Sequence, residues 1–346
     1  MGYTTFATDN ALTRQVWQEK LYRDSVKTSY FMKFSGSDSS SLVQIQNALE
    51  KGQGDKVTFG LRMRLVGAGV TGDAVLEGNE EALSTYDHSA TLEQYRHAVR
   101  DSGRMTRKRA MFSISGEAQA AIQEWGQEKI DSLCFDALGV GAGATADPTK
   151  IFYKTSSGVQ ATATAATAKS ALTTADSKLT PAMISWLKAW AKTGGNRTYV
   201  PLRPVKVDGR EYYVLLVHPD CMYDLKTNSS FEQAQREAEI RGSSNPLFTG
   251  ATAIWDGVVI HEHENCAIAA DAGAGSNVPW AKCAFMGAQS LLWAWGQRVE
   301  IVEEKFDFQN QQAFAFGMIA AASKPKFNNL DFGSVGVYLS RSNIAA

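Results

Sequence analysis

The sequence predicts an α+β fold, and three stretches carry this prediction. Apolar and polar residues alternate along "KVTFGLRMRLVG" (56–67), as they do in a half-buried β-strand. The run from 115 to 138 instead carries an apolar stripe at helical spacing. The C-terminal half is rich in strand-like segments, among them a hairpin signal at Asp208-Gly209. We therefore expect helices and antiparallel strands in the same chain.

The first predicted strand is amphipathic and long. One face carries Val57, Phe59, Leu61, Met63 and Leu65, and the other carries Thr58, Gly60, Arg62 and Arg64. At about 3.3 Å per residue it reaches roughly 35 Å, against a usual strand of about 5–6 residues. A glycine-rich turn follows, and "ALSTYDHSATLEQYRHAV" supplies a returning partner of strand or mixed character. The segment is therefore predicted to be an extended hairpin.

Two helices are predicted from apolar periodicity and from their end signals. The apolar stripe of the helix from 115 to 138 consists of Ala118, Ile122, Trp125, Ile130, Leu133 and Ala137. Gly139 and Gly141 end this helix. A second helix starts at Pro181 behind the N-cap Thr180 and is predicted to end at Gly194.

Three further segments complete the coarse assignment. "VWQEKLYRDSVKTSYFMKF" (16–34) is amphipathic but too small for a core of its own, so it is interpreted as an arm that lies on something else. "SLVQIQNALEKGQGD" (41–55) is predicted to be a short helix. Residues 139–178 are rich in Gly, Ala, Thr and Ser, which indicates a mobile or loosely packed excursion.

Composition excludes several classes of protein. The 346 residues exceed the usual size of one core, so two sub-domains or more are expected. With 35 basic and 36 acidic residues, the net charge of −1 argues against a dedicated nucleic-acid binder. No apolar run predicts a membrane span or a signal peptide. The four scattered cysteines predict buried thiols in a reducing compartment: Cys134, Cys221, Cys266 and Cys283.

A glycine triplet raises the alternative of a nucleotide-binding enzyme. Gly67, Gly69 and Gly72 have the G-x-G-x-x-G spacing of a dinucleotide loop. Such a loop needs a helix directly after it to hold the pyrophosphate, and "DAVLEGNEEALS" (73–84) lacks helical periodicity. The glycines are therefore better explained as the end of a hairpin, and a nicotinamide enzyme remains the alternative.

A histidine pair raises the alternative of a metal-binding module. His261 and His263 lie two residues apart, which on a strand places both on one face. No third ligand follows from the spacing, so the end of a strand is the simpler interpretation. The densest basic stretch, "RDSGRMTRKRA" (100–110), is interpreted as salt-bridging to the acidic surface of a neighbouring chain or segment rather than to phosphates.

The predicted hairpin needs a partner. A two-stranded ribbon alone in water is marginally stable, and uncovered edges invite association. The least costly arrangement lays the hairpin across another copy of the protein. No catalytic, cofactor-binding or metal-binding residue is predicted. The expected inter-subunit contacts are Phe59, Leu61, Arg62, Met63, Arg64, Asp73, Glu77, Arg104 and Arg107.

Three motifs in order resemble the major capsid proteins of tailed bacteriophages. They are the arm sequence, "GDKVTFGLRMRL…GVTGD…LEGNEEAL" and "NPLFTGATAIWDGVVIHEHEN", and the likeness covers nearly the whole chain. More narrowly, the chain resembles the branch of podophages that package a virion RNA polymerase. The resemblance implies the Hong Kong phage capsid fold, which is shared with herpesviruses.

By this resemblance the chain divides into five parts. They are an N-terminal arm with a short helix (1–54), an extended hairpin loop (55–92), a peripheral domain (93–179) with a spine helix (115–138) and the Gly/Ala/Thr-rich excursion, an axial domain (180–297), and C-terminal strands that return to the peripheral domain (298–346).

The resemblance also implies a function. Pentamers and hexamers would form an icosahedral head that encloses double-stranded DNA without sequence-specific binding. Expected partners are the chain itself, a separate scaffolding protein, a portal protein and a decoration protein, with no membrane and no cofactor. The expected location is the virion capsid, assembled in the bacterial host cytoplasm. A decoration or tail-tube protein is the structural alternative.

Overall fold

A computed structural model describes most of the chain as a mixed α+β molecule. The described residues are 29–47, 54–62, 65, 67–110, 114–197, 201–207, 209–237 and 253–342. Two large sheets and one long helix dominate these ranges. Within them, no helix is both long and apolar enough to cross a membrane.

The elements follow one another in this order. A 3₁₀ turn (Phe31–Phe34) precedes the strands β1 (Ser35–Gly36), β2 (Val43–Gln46), β3 (Lys56–Arg62), β4 (Thr85–Thr91), β5 (Glu93–Arg100), β6 (Ile151–Thr155), β7 (Gly158–Thr162), β8 (Val205–Val207), β9 (Arg210–Val217), β10 (Ala253–Trp255), β11 (Val258–Glu262), β12 (Ile268–Ala272), β13 (Val278–Met286), β14 (Leu291–Phe306), β15 (Gln311–Ser323), β16 (Lys326–Phe327), β17 (Leu330–Asp331) and β18 (Ser334–Ser340). The helices are α1 (Arg104–Arg109), α2 (Ile114–Leu138), α3 (Ala165–Ala171), α4 (Pro181–Arg197), α5 (Pro219–Lys226) and α6 (Ser229–Glu237).

The first large sheet has five strands in the order β1-β2-β14-β15-β5. Its centre is the long antiparallel pair β14–β15, with β5 antiparallel to β15 and β2 parallel to β14. Helix α2 packs on it through a row of small and apolar residues four apart: Ala118, Ile122, Gly126, Ile130, Cys134 and Leu138. A Cβ at Gly126 would lie 2.7 Å from the ring of Phe316, so only glycine lets the helix approach this closely.

The second large sheet orders its strands β10-β11-β9-β13-β18-β6-β7, with β12 on β13 and β8 on β9. Its inner strands are buried on both faces. Val214 and Leu216 of β9 point into the core shared with α2 and the first sheet. Leu215, between them, points into a second core under the helices α4 to α6. The sheet therefore forms the middle layer of the molecule.

Two sequence-based expectations are wrong. Residues 43–46 form a strand, not part of a short helix, because Val43 and Ile45 alternate and β14 offers a parallel partner. The remainder of that segment, from 48 to 53, lies outside the described residues. The excursion from 139 to 178 is ordered: β6 lies between β18 and β7 with Phe152 fully buried, and Ala168 of α3 is buried as well.

The sheets group the chain differently from the ranges expected from the resemblance. The nine-stranded sheet contains β6 and β7, which precede residue 180, and also β18, which follows residue 298. Strands β5, β14 and β15 belong to the five-stranded sheet. Helix α4 begins at the predicted Pro181 but ends at Arg197, three residues beyond Gly194. The five-part division therefore stays a prediction.

Other local predictions are confirmed. The helix expected from 115 to 138 spans Ile114–Leu138. Strands β8 and β9 form the expected hairpin, and Gly209 takes the positive φ of +77° that its turn requires, while residue 208 lies outside the described residues. All four cysteines are buried free thiols.

Candidate functional site

The predicted hairpin exists and its two strands form a sheet of their own, but the first strand ends at Arg62, and the described residues 65 and 67 do not continue it to the predicted length. Strands β3 and β4, called here the hairpin root, pair antiparallel from Lys56 opposite Thr91 to Arg62 opposite Thr85. Exposure alternates along β3, as the period-two pattern predicts. Val57 is the buried residue of β3, and Arg62 lies on the exposed outer face.

The hairpin root is seated on the body through a small apolar cluster. Val57 and Ala90 pack on Ala294 of β14 and Ala321 of β15. These are small side chains, and Phe59 beside them is only half-buried. The root therefore buries little apolar area against its own chain.

Two cavities flank the hairpin root. One, of about 310 Å³, lies between Leu61 and Tyr86 of the root and Lys150, Trp190 and Asp331 of the body. The other, of about 340 Å³, lies along β3 and is lined by Gln44, Gln289, Leu292 and Phe327. Because two cavities open between the root and the body, the contact of the root with the body is incomplete in this single chain.

One histidine links the root to the body. His88 of β4 hydrogen-bonds through Nε2 to Oγ of Ser323 (2.7 Å), and its ring lies edge-on to Phe327. Burial lowers the pKa of His88, and the nearby Lys326 ammonium lowers it further. The environment therefore favours the neutral imidazole.

The hairpin tip, defined as residues 67–84, has neither helix nor strand. Its backbone is held locally: Gly67 N donates to Glu81 Oε2 (2.6 Å), and Asn79 Nδ2 donates to the carbonyl of Val75 (2.9 Å). Its large apolar side chains face solvent, with Val75 68%, Leu76 59% and Leu83 56% exposed. A contiguous segment with this much exposed apolar surface is typical of a protein interface.

The basic helix α1 lies at a different place, against the turn between β14 and β15. Residues 307–310 form this turn, and together with α1 they are called here the basic corner. Asn310 Oδ1 accepts a hydrogen bond from Arg104 N (3.1 Å), and Arg107 donates to the carbonyl of Asn310 (2.9 Å). Arg107 also pairs with Asp101 (2.7 Å). The helix is therefore fixed to the turn by its backbone and by Arg107.

The turn itself is strained and presents an aromatic ring. Asp307, Phe308 and Gln309 all have positive φ, between +50° and +67°, which is unfavourable for residues other than glycine. Phe308 is fully exposed, and Met105 of α1 is 61% exposed. Sequence reasoning missed Phe308; the signal for it was "DFQN", polar turn residues that bracket an aromatic between two strands.

The predicted contact residues divide between these places. Phe59 and Leu61 are half-buried on the inner face of the root, Arg62 is exposed on the outer face, and Asp73 and Glu77 are exposed in the tip. Arg104 is exposed in the basic corner, whereas Arg107 is already bonded within its own chain. Met63 and Arg64 lie outside the described residues.

A buried carboxylate that sequence reasoning also missed anchors the chain near its start. Asp131 of α2 accepts hydrogen bonds from Ser29 Oγ (2.6 Å), Tyr30 N (3.0 Å) and Phe31 N (3.2 Å). Charged side chains are rarely buried unless their acceptors are satisfied, as they are here. The carboxylate therefore holds residues 29–31, the end of the predicted arm, onto the long helix, so this part of the arm packs on its own chain.

Comparison with known proteins decides the family. A family model described as phage capsid protein matches residues 5–340. The chain belongs to this family of phage capsid proteins. The major capsid protein of Pseudomonas phage KPP25 is 29% identical over 374 residues, which cover 98% of each chain.

Solved capsid structures share the fold. The capsid of Ralstonia phage GP4 matches with a TM-score of 0.81 and 26% identity over 99% of this chain and 95% of that chain. The capsid of cyanophage Pam1 matches with a TM-score of 0.74 and 26% identity over 99% and 100%. The expected capsid fold is therefore confirmed, while the branch that packages an RNA polymerase stays a prediction.

This capsid protein has a structural function, as its family and its relatives do. The glycine triplet that suggested a nucleotide loop lies in the exposed tip, and no helix follows it among residues 73–84. Gly69 and Gly72 have a φ of +68°, as tight turns require. The nicotinamide enzyme is therefore set aside, as are the decoration and tail-tube alternatives.

The histidine pair of the capsid protein serves packing. The ring centroid of Tyr30 lies 5.7 Å from that of His261 and 4.9 Å from that of His263. Phe34 and Phe135 complete the aromatic group, and burial lowers the pKa of His263. In the described part of the chain no three potential metal ligands come together. The metal-binding alternative therefore has no ligand set there.

Proposed function

We propose that copies of this capsid protein associate as pentamers and hexamers that close an icosahedral head around double-stranded DNA. Each hairpin lies across a neighbouring copy, which covers the apolar side chains of its tip. The observation that carries this proposal is the contrast between the large exposed apolar residues Val75 and Leu76 and the small cluster that seats the root. A hairpin built in this way is completed by a second surface.

Apolar burial is the main source of affinity in this proposal. Fully burying a Val or Leu side chain contributes about 1.5–3 kcal/mol relative to exposure. An exposed ion pair contributes only about 0–1 kcal/mol. Each copy offers several such apolar residues, and a closed shell repeats every contact many times. Charges then set the register and the choice of partner.

The five parts of the chain take their roles from the same proposal. Strands β5, β14 and β15 of the five-stranded sheet and α2 supply the peripheral domain, with α2 as the spine helix, and the nine-stranded sheet supplies most of the axial domain. Residues 1–54 act as the arm and residues 55–92 as the extended loop. The anchoring of Ser29 and Tyr30 by Asp131 supports an arm that leaves the body at this point.

The remaining partners follow from the assembly of a head. Copies assemble in the host cytoplasm with a scaffolding protein and a portal protein, and a decoration protein binds the finished shell. The net charge of −1 supports an inner wall that encloses DNA without gripping it. A strongly basic wall would oppose packaging and ejection.

Deletion of residues 62–83 tests the role of the hairpin. The full-length chain and the deletion variant are expressed with the other head proteins and examined by electron microscopy. Closed heads are expected only from the full-length chain, while circular dichroism and urea unfolding of the variant subunit stay close to those of the parent. Normal closed heads from the deletion variant would refute the proposal.

A finer pair of variants separates apolar contact from chain length. One variant carries Val75→Ser, Leu76→Ser and Leu83→Ser, which removes large apolar side chains from the tip and keeps the length of the loop. The matched control carries Ile254→Ser and Ile268→Ser, two changes at residues that are exposed elsewhere on the molecule. The first variant is expected to lose heads, and the control is expected to keep them.

A further inference from the structure

We infer that the acidic hairpin tip of one copy docks on the basic corner of a second copy. The inference rests on the proposed function and identifies the surface that receives the tip. The partner of the basic corner is the hairpin tip of a second copy of this chain, which presents carboxylates and aliphatic side chains together. Three observations support it: opposite charges, charged side chains without a partner among the described residues, and exposed apolar residues.

The two surfaces carry opposite charges. Residues 67–84 contain four acidic residues and no basic residue. Helix α1 contains four basic residues and no acidic residue in six positions. The formal charge is therefore −4 for the tip and, once Asp307 of the turn is included, +3 for the basic corner, which favours their encounter and opposes self-association of either surface.

The charged side chains of both surfaces are available for a partner. Asp73 and Glu77 form no hydrogen bond or ion pair with another described residue through their carboxylates. Likewise, within the described residues the side chains of Arg104, Lys108 and Arg109 make no such contact. Arg107 differs, since Asp101 and Asn310 already hold it. The available cations Arg104, Lys108 and Arg109 therefore lie on either side of Arg107, which fixes the helix in place.

Each surface also presents apolar side chains that solvent does not favour. The tip offers Val75 and Leu76, and the basic corner offers Met105 and Phe308. An unbranched methionine and an exposed ring adapt well to aliphatic partners. DNA phosphates would satisfy the cations of the corner but would leave Met105 and Phe308 in water. A protein partner therefore fits the corner better than a nucleic acid does.

Several contacts within one chain hold the basic corner together. Asn310 donates from Nδ2 to Asp307 (3.0 Å), and Asp101 accepts from Gln312 N (2.9 Å). The guanidinium of Arg100, at the end of β5, lies 4.3 Å from the ring centre of Phe306, the last residue of β14 before the turn. This cation–π contact joins the ends of the two strands. These contacts keep the three residues with positive φ in place and point Phe308 outward. A preorganised surface loses less entropy when a partner docks.

A charge-swap experiment tests the pairing. One variant carries Asp73→Lys and Glu77→Lys, a second carries Arg104→Glu, Lys108→Glu and Arg109→Glu, and a third carries all five changes. Each full-length chain is expressed with the other head proteins, and closed heads are counted by electron microscopy. Either single-sided variant is expected to lower the count at least about tenfold, since like charges then face each other, and the combined variant is expected to restore it.

The outcomes separate this inference from the proposed function. If the deletion of residues 62–83 abolishes heads but the single-sided variants form them normally, the hairpin role stands and the pairing is wrong. If the combined variant fails to recover heads, the pairing is likewise overturned. If the corner variant forms normal heads that lack DNA, the corner faces nucleic acid and the inference fails. Lys206→Glu, an exposed change on β8, serves as the charge control.

Cross-linking gives a second readout that does not depend on the yield of heads. The native cysteines are buried, so new surface cysteines react alone. Val75→Cys with Met105→Cys is expected to give inter-chain disulfides in assembled heads after mild oxidation with a disulfide reagent. Val75→Cys with Ile268→Cys is the matched control and is expected to stay uncross-linked. Equal cross-linking of both pairs would overturn the inference.

Discussion

The hairpin and the nine-stranded sheet are built from strands of similar length but differ in what completes them. Every residue of β18 is buried, and its neighbours β13 and β6 satisfy its backbone on both sides. In β3 only Val57 is buried, and its one strand partner is β4. The sheet is complete within one chain, whereas the hairpin is not.

This difference separates folding from assembly. Apolar burial in the sheet and its helices stabilises the single subunit, because it happens whether or not other copies are present. Apolar residues of the tip gain nothing until a neighbour covers them. Substitutions in the sheet should therefore change the free energy of unfolding, and substitutions in the tip should change the yield of heads.

Removing a large side chain from the centre of the nine-stranded sheet should destabilise the subunit most. Phe285 of β13 is fully buried and stacks on Tyr213, with ring centroids 5.4 Å apart. Phe285→Ala should lower the free energy of unfolding of the subunit by about 3–5 kcal/mol, measured in urea. Thr58→Ala, on the exposed face of the root, is the control and should change it by less than about 0.5 kcal/mol. Equal losses would contradict the comparison.

The same Gly→Val substitution should have different effects in the body and in the hairpin. Gly126 lies under the ring of Phe316, whereas a Cβ at Gly60 of the hairpin meets nothing within 4 Å. Gly126→Val should destabilise the subunit by about 3 kcal/mol through overpacking. Gly60→Val should be nearly neutral, because valine suits a strand and the site is open. Thermal unfolding of the two variants under one condition checks this, and a larger loss at Gly60 would reverse the account.

The anchor of the chain start gives an intermediate effect. Asp131→Ala leaves the donors of Ser29, Tyr30 and Phe31 without their acceptor. The expected cost is about 2 kcal/mol in the free energy of unfolding. Asp131→Asn keeps one carbonyl acceptor and should cost less, which limited proteolysis at the chain start can also report. If the alanine variant is as stable as the parent, the carboxylate is not an anchor.

The smallest effect concerns acid and the hairpin root. The pKa of His88 is lowered, so its neutral form is favoured while the root is docked. This contribution is fully present above the ordinary pKa of about 6.5 and is lost as the pH falls from there through the lowered pKa of the docked histidine. Lys326 on β16 repels the protonated ring, and Asp87 on β4 offsets part of that repulsion.

Hydrogen exchange measures this acid effect. After correction for intrinsic rates, amides of residues 85–91 in the isolated subunit should exchange faster at pH 5.5 than at pH 7.5. His88→Gln keeps a side-chain donor for Ser323 but does not titrate, so it should remove most of the difference. The same pH dependence in the parent and the variant would assign the effect to another group.

Local patterns made much of the fold predictable. The helix Ile114–Leu138, the hairpin β3–β4 and the turn at Gly209 follow from spacing that each segment carries in itself. The strand β2 did not follow, because its partner β14 lies about 250 residues away along the chain. The order in residues 139–178 was missed for the same reason, since β18 supplies the partner of β6.

The candidate site was predictable only in part. The exposed, acidic tip follows from its glycines and carboxylates. The basic corner does not, because Asn310 joins the turn to α1, about 200 residues away along the chain. The sequence of α1 alone does not indicate that it packs against this turn. Arg107 was expected at an interface but is held by Asp101, a pairing that charge patterning alone does not distinguish. Contacts between distant segments decide such cases.

Hydrogen exchange of the hairpin tip in isolated subunits and in closed heads measures whether a second copy covers the tip. Amides of residues 67–84 should be weakly protected in the isolated subunit and strongly protected in heads. Those of β9, β13 and β18 should be protected equally in both. Rapid exchange of the tip in closed heads would show that no second copy covers it and would contradict the account.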